Sequence, residues 1–206
     1  MRTSRQTMQR VIVPLLIVAI VAGSLLSTNV WAKNEKNLST VTLSEPEIEM
    51  LSFMREEEKL ARDVYLKMFE MWGAVIFLNI LDSEQRHMHA IKRLLDKYAL
   101  ADPAQADAGL FTDDNLQKNY HALVDAGTIS FVEGLYAGAT IEEIDMIDIQ
   151  HAIDITSQID IITTYQNLLE GSKNHLRAYV RALEAQGIQY DPQYLSPELF
   201  KAILAL

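Results

Sequence analysis

The chain has 206 residues, enough for one domain with a sizeable core once any targeting segment is set aside. Apolar residues make up 49% and charged residues 22%, and 28 acidic residues against 18 basic ones give a formal net charge of −10. That balance rules against nucleic acid as a partner, and the absence of cysteine excludes disulfides, thiolate metal sites and cysteine nucleophiles.

The chain opens with Arg2, Arg5 and Arg10, then an apolar run from Val11 to Ala22 broken only by Pro14, then Val30-Trp31-Ala32. A basic start, an apolar middle and small residues at the −3 and −1 positions make a secretory signal peptide over residues 1–32, cut after Ala32. An uncleaved anchor is the alternative, because the apolar stretch to Leu26 nears the length of a short membrane span. Either way the folded part is expected outside the cytoplasm, periplasmic or extracellular, or held at the outer face of the inner membrane. Membrane contact would come only through this N-terminal segment. Residues 33–43 read as a linker.

Ser44 with Glu47 three residues on is a capping-box signature and opens a first long helix to about Met71, closed by Gly73. Its apolar stripe is Met50, Met54, Ala61, Val64, Tyr65, Met68 and Trp72, with Glu57 near the middle and Glu58 at the edge. Glu56, Lys59, Asp63, Lys67 and Glu70 read as the solvated side. A second helix follows at once, Ala74 to Tyr98, so the two should be antiparallel neighbours. At about 100° per residue, Ile76, Phe77, Ile80, Ile91, Leu94, Leu95 and Tyr98 share a stripe, and Glu84 and His87 fall inside it. A carboxylate and an imidazole on a core-facing stripe need a partner there, because burying them unpaired costs several kcal/mol.

Residues 99–112, with Pro103, Gly109 and several aspartates, read as loop. Thr112 is expected to cap a short helix, Asp113 to Asp125, closed by Gly127. A third long helix starts at the Ser130–Glu133 capping signature and runs to about Ile155, with a stripe of Val132, Leu135, Tyr136, Ala139, Met146, Ile147 and Ile153. Glu142 and Glu143 straddle that stripe, and angle does not say which points inward; Asp145 and Asp148 continue outward. Thr156 or Ser157 is expected to cap a fourth long helix to Gln186. Ile161, Tyr165, Leu168, Leu176, Tyr179 and Leu183 mark its buried side, with His175 among them. Gly171 inside this helix costs about 1 kcal/mol relative to alanine, which a close backbone approach would explain. Residues 188–206 should fold back over the bundle. The fold class is therefore all-α: a four-helix bundle, residues 44–187, with one long crossover carrying a short helix.

The candidate metal ligands are then Glu57 from the first long helix, Glu84 and His87 from the second, Glu142 or Glu143 from the third, and His175 from the fourth. Amphipathic helices seldom bury ionisable groups, so convergence on a cation is the economical reading. The strings Glu56 to Tyr65, Ser83-Glu84-Gln85-Arg86-His87 and Gly171 to Tyr179 resemble a ferritin-like family, mostly prokaryotic, catalogued as a domain of unknown function and related at a distance to rubrerythrins and bacterioferritins. The resemblance covers about residues 43 to 204. It implies a ferritin-like bundle and a carboxylate-bridged di-iron or similar site on the residues just named. This chain departs from the full ligand set at Ser172, which stands where a second Glu-x-x-His motif would place its acid; Glu170 points away. Two irons, or a single Fe, Mn or Zn, fit such ligands. A di-iron oxidoreductase would use dioxygen or peroxide and, without cysteine, an external reductant. The alternative is a non-enzymatic metal-sequestering, sensing or interaction bundle with a mononuclear or vestigial site. A homodimer is compatible with the pattern.

Overall fold

The computed structural model describes residues 42–205, and within them the chain is an all-α bundle. The leader expected over residues 1–32 and nearly all of the linker lie outside the described residues. Six helices follow one another: α1 (Glu45–Trp72), α2 (Val75–Lys97), α3 (Asp114–Gly127), α4 (Phe131–Asp154), α5 (Ile159–Ala185) and α6 (Pro197–Leu204). None of them is long and apolar enough to cross a membrane.

The start of α1 is built as its residues dictate. Glu47 Oε2 accepts from the Ser44 N–H at 2.8 Å and from the Ser44 hydroxyl at 2.7 Å. Leu43, expected in the linker, is instead buried in the core beside Ile48, a hydrophobic staple across the cap. Gly73 stops the helix with φ 62° and ψ 14°, donating its N–H to the Phe69 carbonyl. Two expected caps are corrected. Asp113, not Thr112, caps α3, accepting from the Asn115 and Leu116 N–H groups. At the start of α5 the cap position is Gln158, and Thr156 instead accepts from the Gln158 N–H and donates to Glu47 Oε1.

The cross-links between helices fix their directions. Arg55 reaches the Met88 carbonyl and Arg62 reaches Gln85, so α1 and α2 run antiparallel. Ser172 meets Asp145 and His175 meets Glu142, giving the same relation for α4 and α5. Glu47 near Thr156 and Tyr65 near Glu142 set α1 antiparallel to α4. Lys97 to Asp160 and His175 to Glu84 do so for α5 and α2. It follows that α2 and α4 run parallel, so the connection between them must travel the length of the bundle. Residues 98–130, carrying α3, make that passage and pack against α1 and α4.

This crossover overturns the solvated reading of one side of α1. Glu56, Lys59 and Asp63 are buried; only Lys67 and Glu70 of that set pair at the surface. Lys59, 0% exposed, fills its three donors: Asp63 Oδ2 at 2.6 Å, the Asp107 carbonyl at 2.9 Å and the Leu110 carbonyl at 3.0 Å. Its ammonium also lies 4.4 Å over the Phe111 ring. Asp63 accepts from the Gly109 N–H as well, Glu56 from the Thr112 and Asp113 N–H groups, and Arg55 grips Asp102 through two bonds. The charges on this face thus hold backbone that has no helix of its own to satisfy it.

The third long helix differs from expectation for a related reason. Helix α4 is covered by α1, α3, α5 and the C-terminal tail, so it has no single buried stripe. Glu142, Glu143 and Asp145 are all buried on it, Asp148 is half-buried, and Ile147, expected inside, is 42% exposed. Glu143 faces the tail. It accepts from the Tyr190 hydroxyl at 2.6 Å and from the Gln193, Tyr194 and Leu195 N–H groups at 2.9, 2.7 and 2.9 Å. With the Arg177 bond to the Ile203 carbonyl, this ties residues 188–205 back onto the bundle.

Candidate metal centre

At the centre of the bundle each of the four long helices presents an acid or a histidine inward. Glu84 on α2 is the hub. Its Oε2 lies 2.8 Å from His87 Nδ1 and its Oε1 lies 2.8 Å from His175 Nδ1. Glu58 on α1 flanks the first histidine, with Oε2 3.1 Å from His87 Nδ1. Glu142 on α4 flanks the second, with Oε2 3.3 Å from His175 Nδ1. The two imidazoles stack with centroids 5.5 Å apart and planes at 28°. Two triads result, Glu58–Glu84–His87 and Glu84–Glu142–His175, each with ligand atoms within 4.8 Å of one another and all five residues buried. They share one carboxylate.

Two further groups complete the surroundings. Asp145, one turn along α4 from Glu142, faces Glu58, Glu84 and Glu142 from a buried position and accepts from the Ser172 hydroxyl at 2.5 Å. The Tyr65 hydroxyl donates to Glu142 Oε1 at 2.5 Å, and its ring packs 5.6 Å from that of Tyr179. Tyr65, Tyr165 and Tyr179 are fully buried packing aromatics, whereas Tyr136 is only half-buried.

Of the six residues singled out from the sequence, the structure brings Glu84, His87, Glu142 and His175 together and leaves Glu57 and Glu143 outside. Glu143 belongs to the tail anchor. Glu57 is buried one position away, turned toward Asp148 and Asp145 in the α1–α4 groove. Glu58 occupies the inner place. The signal for it was present: Leu51, Met54, Glu58, Ala61, Tyr65 and Met68 recur at spacings of three and four, and all are buried. A stripe centred on Met50 instead of Leu51 rotates the expected ligand by one residue. Asp145, on the outward acidic run by angle and a candidate to move inward in place of the acid missing at Ser172, is buried here because α4 is enclosed on several sides.

The charges here are far from balanced. Burial opposes ionisation of Glu84, yet the two imidazoles hold its carboxyl well below the usual range. Burial would lower His87, but Glu58 and Glu84 push it up to about 12; His175, likewise between Glu142 and Glu84, rises to about 10. Glu58 is driven up to about 7 by burial, against the pull of His87. Burial and neighbouring acids raise Asp145 well above its ordinary value, and burial raises Glu142. Glu58 Oε1 has no hydrogen-bond partner although the residue is buried. An orphaned carboxylate oxygen among raised acids describes a pocket short of positive charge.

Gly171 is the close approach expected in the fourth long helix. A Cβ there would lie 2.6 Å from His87 Nε2 and 2.8 Å from Cε1, so only glycine admits the ring. Gly171→Ala gains up to about 1 kcal/mol of helix propensity but meets an imidazole that cannot retreat, since its Nδ1 is held by Glu58 and Glu84. Overpacking of this kind costs about 1–3 kcal/mol. Thermal unfolding is expected to show a net loss; a more stable variant would mean that His87 is free to move.

With the geometry in place, comparison with known proteins supplies a family. A family model described as Uncharacterized protein domain (DUF2202) matches residues 47–206. The chain belongs to that family. The DUF2202 match takes in every residue of the two triads. The chain is also similar to the uncharacterized protein MJ0754 of Methanocaldococcus jannaschii, with 47% identity over 164 residues, 79% of this chain and 89% of that protein. The crystal structure of MJ0754, titled a hypothetical protein, superposes with a TM-score of 0.79 at 44% identity. It covers 85% of this chain and 98% of that one.

Proposed function

We propose that this DUF2202 chain is an exported metal-binding bundle of the ferritin-like, di-iron carboxylate kind, holding two ions across Glu84. One observation carries the reading: both oxygens of a single buried carboxylate sit 2.8 Å from two different histidines, each flanked by a further acid. The donor set fits. Four-helix di-metal sites use four carboxylates and two histidines, and Glu58, Glu84, Glu142, Asp145, His87 and His175 make up that count. Asp145, steadied by Ser172, supplies from α4 the acid that α5 lacks. The orphaned Glu58 Oε1 offers a lone pair inside the pocket. Iron is the metal we favour, with manganese or zinc open to the same oxygen and nitrogen ligands. Bound iron would supply one-electron steps toward dioxygen or peroxide, as in an oxidase, peroxidase or ferroxidase. Turnover would draw electrons from an external reductant, because a chain without cysteine holds no rubredoxin-like donor of its own.

The protein's own part is electrostatic. Glu84 is held ionised between the histidines, Tyr65 orients Glu142, Ser172 orients Asp145, and packed aromatics keep bulk water away. The order of residues 1–32 supports export, with action in the periplasm or outside the cell.

Metal uptake and protonation are then linked. At pH 7 both histidines carry protons, and Glu58 is poised near half-protonation at about 7. Ligands must lose these protons to bind, so apparent affinity is expected to fall as pH drops from about 10 toward 7, and more steeply below 7 where Glu58 also takes up a proton. Titration calorimetry with Zn²⁺ in two buffers of different ionisation enthalpy should show at least the two imidazolium protons released per loaded chain. Binding with no proton release would place the ion elsewhere.

A further inference from the structure

Glu142 is the first of a row on α4: Glu142, Asp145, Asp148 and His151 follow one another at every third position. Each step climbs about 4.5 Å and turns back about 60°, so the row winds around the helix as it rises. Burial follows the winding. Glu142 is 1% exposed and Asp145 5% exposed, Asp148 is half-buried, and His151 is at the surface. Across the α1–α4 groove Glu57 closes on the middle of the row. Its carboxyl faces Asp148, Asp145 and Glu58, sharing a hydrogen bond with Asp148. Glu57 is buried, and its Oε2 has no hydrogen-bond partner.

A structural role accounts poorly for Glu57. An acid used for folding would meet a cation or backbone N–H groups, as Glu56 and Glu143 do. Glu57 meets acids, and no hydrogen bond uses its second oxygen. Such an arrangement is costly unless something positive passes through it.

We propose that His151, Asp148, Glu57 and Asp145 form the uptake path by which a divalent cation travels from the surface to the two triads, with Glu57 and Asp148 as its intermediate station. This rests on the metal-binding reading above and adds the direction from which the site is filled. The path begins at the C-terminal end of α4, where the helix dipole favours cations. It hands the ion from Asp148 and Glu57 to Asp145, which already faces Glu58, Glu84 and Glu142. The station lacks three converging donors at ligand distance, since the described residues hold only the two inner groups of that kind, both sharing Glu84. It therefore passes an ion on and does not store it.

The test separates rate from capacity. Co²⁺ alone is mixed with metal-free protein in a stopped-flow instrument and followed by the visible absorption of ligated cobalt, with final stoichiometry measured by equilibrium dialysis. Asp148→Asn and Glu57→Gln keep side-chain size; Glu184→Gln, an exposed acid near the C-terminal end of α5, serves as control. The wild type and Glu184→Gln should fill at one rate. Each path variant should fill roughly tenfold or more slowly, the scale of electrostatic focusing, and reach the same number of ions. Equal rates for all four proteins would overturn the path and leave the metal site standing. Fewer ions at saturation in Asp148→Asn would also overturn it, making Asp148 a ligand. A wild type that takes up no cobalt would remove both. Because Asp148 is only half-buried, Asp148→Asn keeps the test decisive if Glu57→Gln unfolds.

Discussion

Glu84→Gln is expected to lose metal binding by at least about 100-fold, more than the loss typical of a group that only supports a ligand. The change preserves volume but removes the one negative charge between two imidazoles and turns an acceptor into a donor aimed at a ring nitrogen. The metal-free variant should also be destabilised by about 3–5 kcal/mol, the cost of breaking a buried charge pair. Thermal unfolding with and without metal separates the two effects. Wild-type protein should gain about 4 kcal/mol when metal stands a thousandfold above its Kd, and Glu84→Gln should gain no more than about 1.4 kcal/mol at the same metal concentration. Equal destabilisation of the variant with and without metal would make Glu84 a structural residue.

The second large effect lies on the side of α1 that faces the crossover, turned away from the two triads. Asp63→Ala should cost about 3–5 kcal/mol, because it leaves the Lys59 ammonium, 0% exposed, with only the two crossover carbonyls. It also orphans the Gly109 N–H and releases Arg62. The crossover should loosen with it, so protease cleavage between residues 99 and 112 is expected to rise. Replacing Lys59 and Asp63 together by Met and Leu should recover only part of the loss, since it removes the unpaired charge but leaves the Asp107 and Leu110 carbonyls and the Gly109 N–H without their partners. Urea unfolding of the three variants is the measurement. A loss under about 1 kcal/mol for Asp63→Ala would be the mark of a hydrated surface pair.

These two residues show how far the sequence could be read. Glu84 and His87 stand out because their helix faces the core with one stripe, so two ionisable groups on it are conspicuous. His175 on α5 is legible for the same reason, and Gly171 because a helix tolerates glycine only for cause. The long connection from α2 to α4 is legible from the break in periodicity after Tyr98. Helices α1 and α4 are enclosed on several sides, and there a period of 3.6 carries no single inward direction. Angle therefore points to Glu57 in place of Glu58, does not separate Glu142 from Glu143, and sets Asp145 on the outward run although it is buried. Lys59 and Asp63 fail for a different reason. The partners that bury them are backbone carbonyls and an N–H group of residues 107–110, a segment without periodicity whose course leaves no trace in side-chain spacing.

In the proposed function, the Glu84 carboxylate is shared between two cation sites inside the bundle. Native mass spectrometry with elemental analysis of protein loaded with iron and freed of loose metal tests it most directly. Two ions on each wild-type chain and none retained by Glu84→Gln are the expected outcome. Folded wild-type protein that holds no transition metal, or a Glu84→Gln variant that holds as much as the wild type, would contradict it.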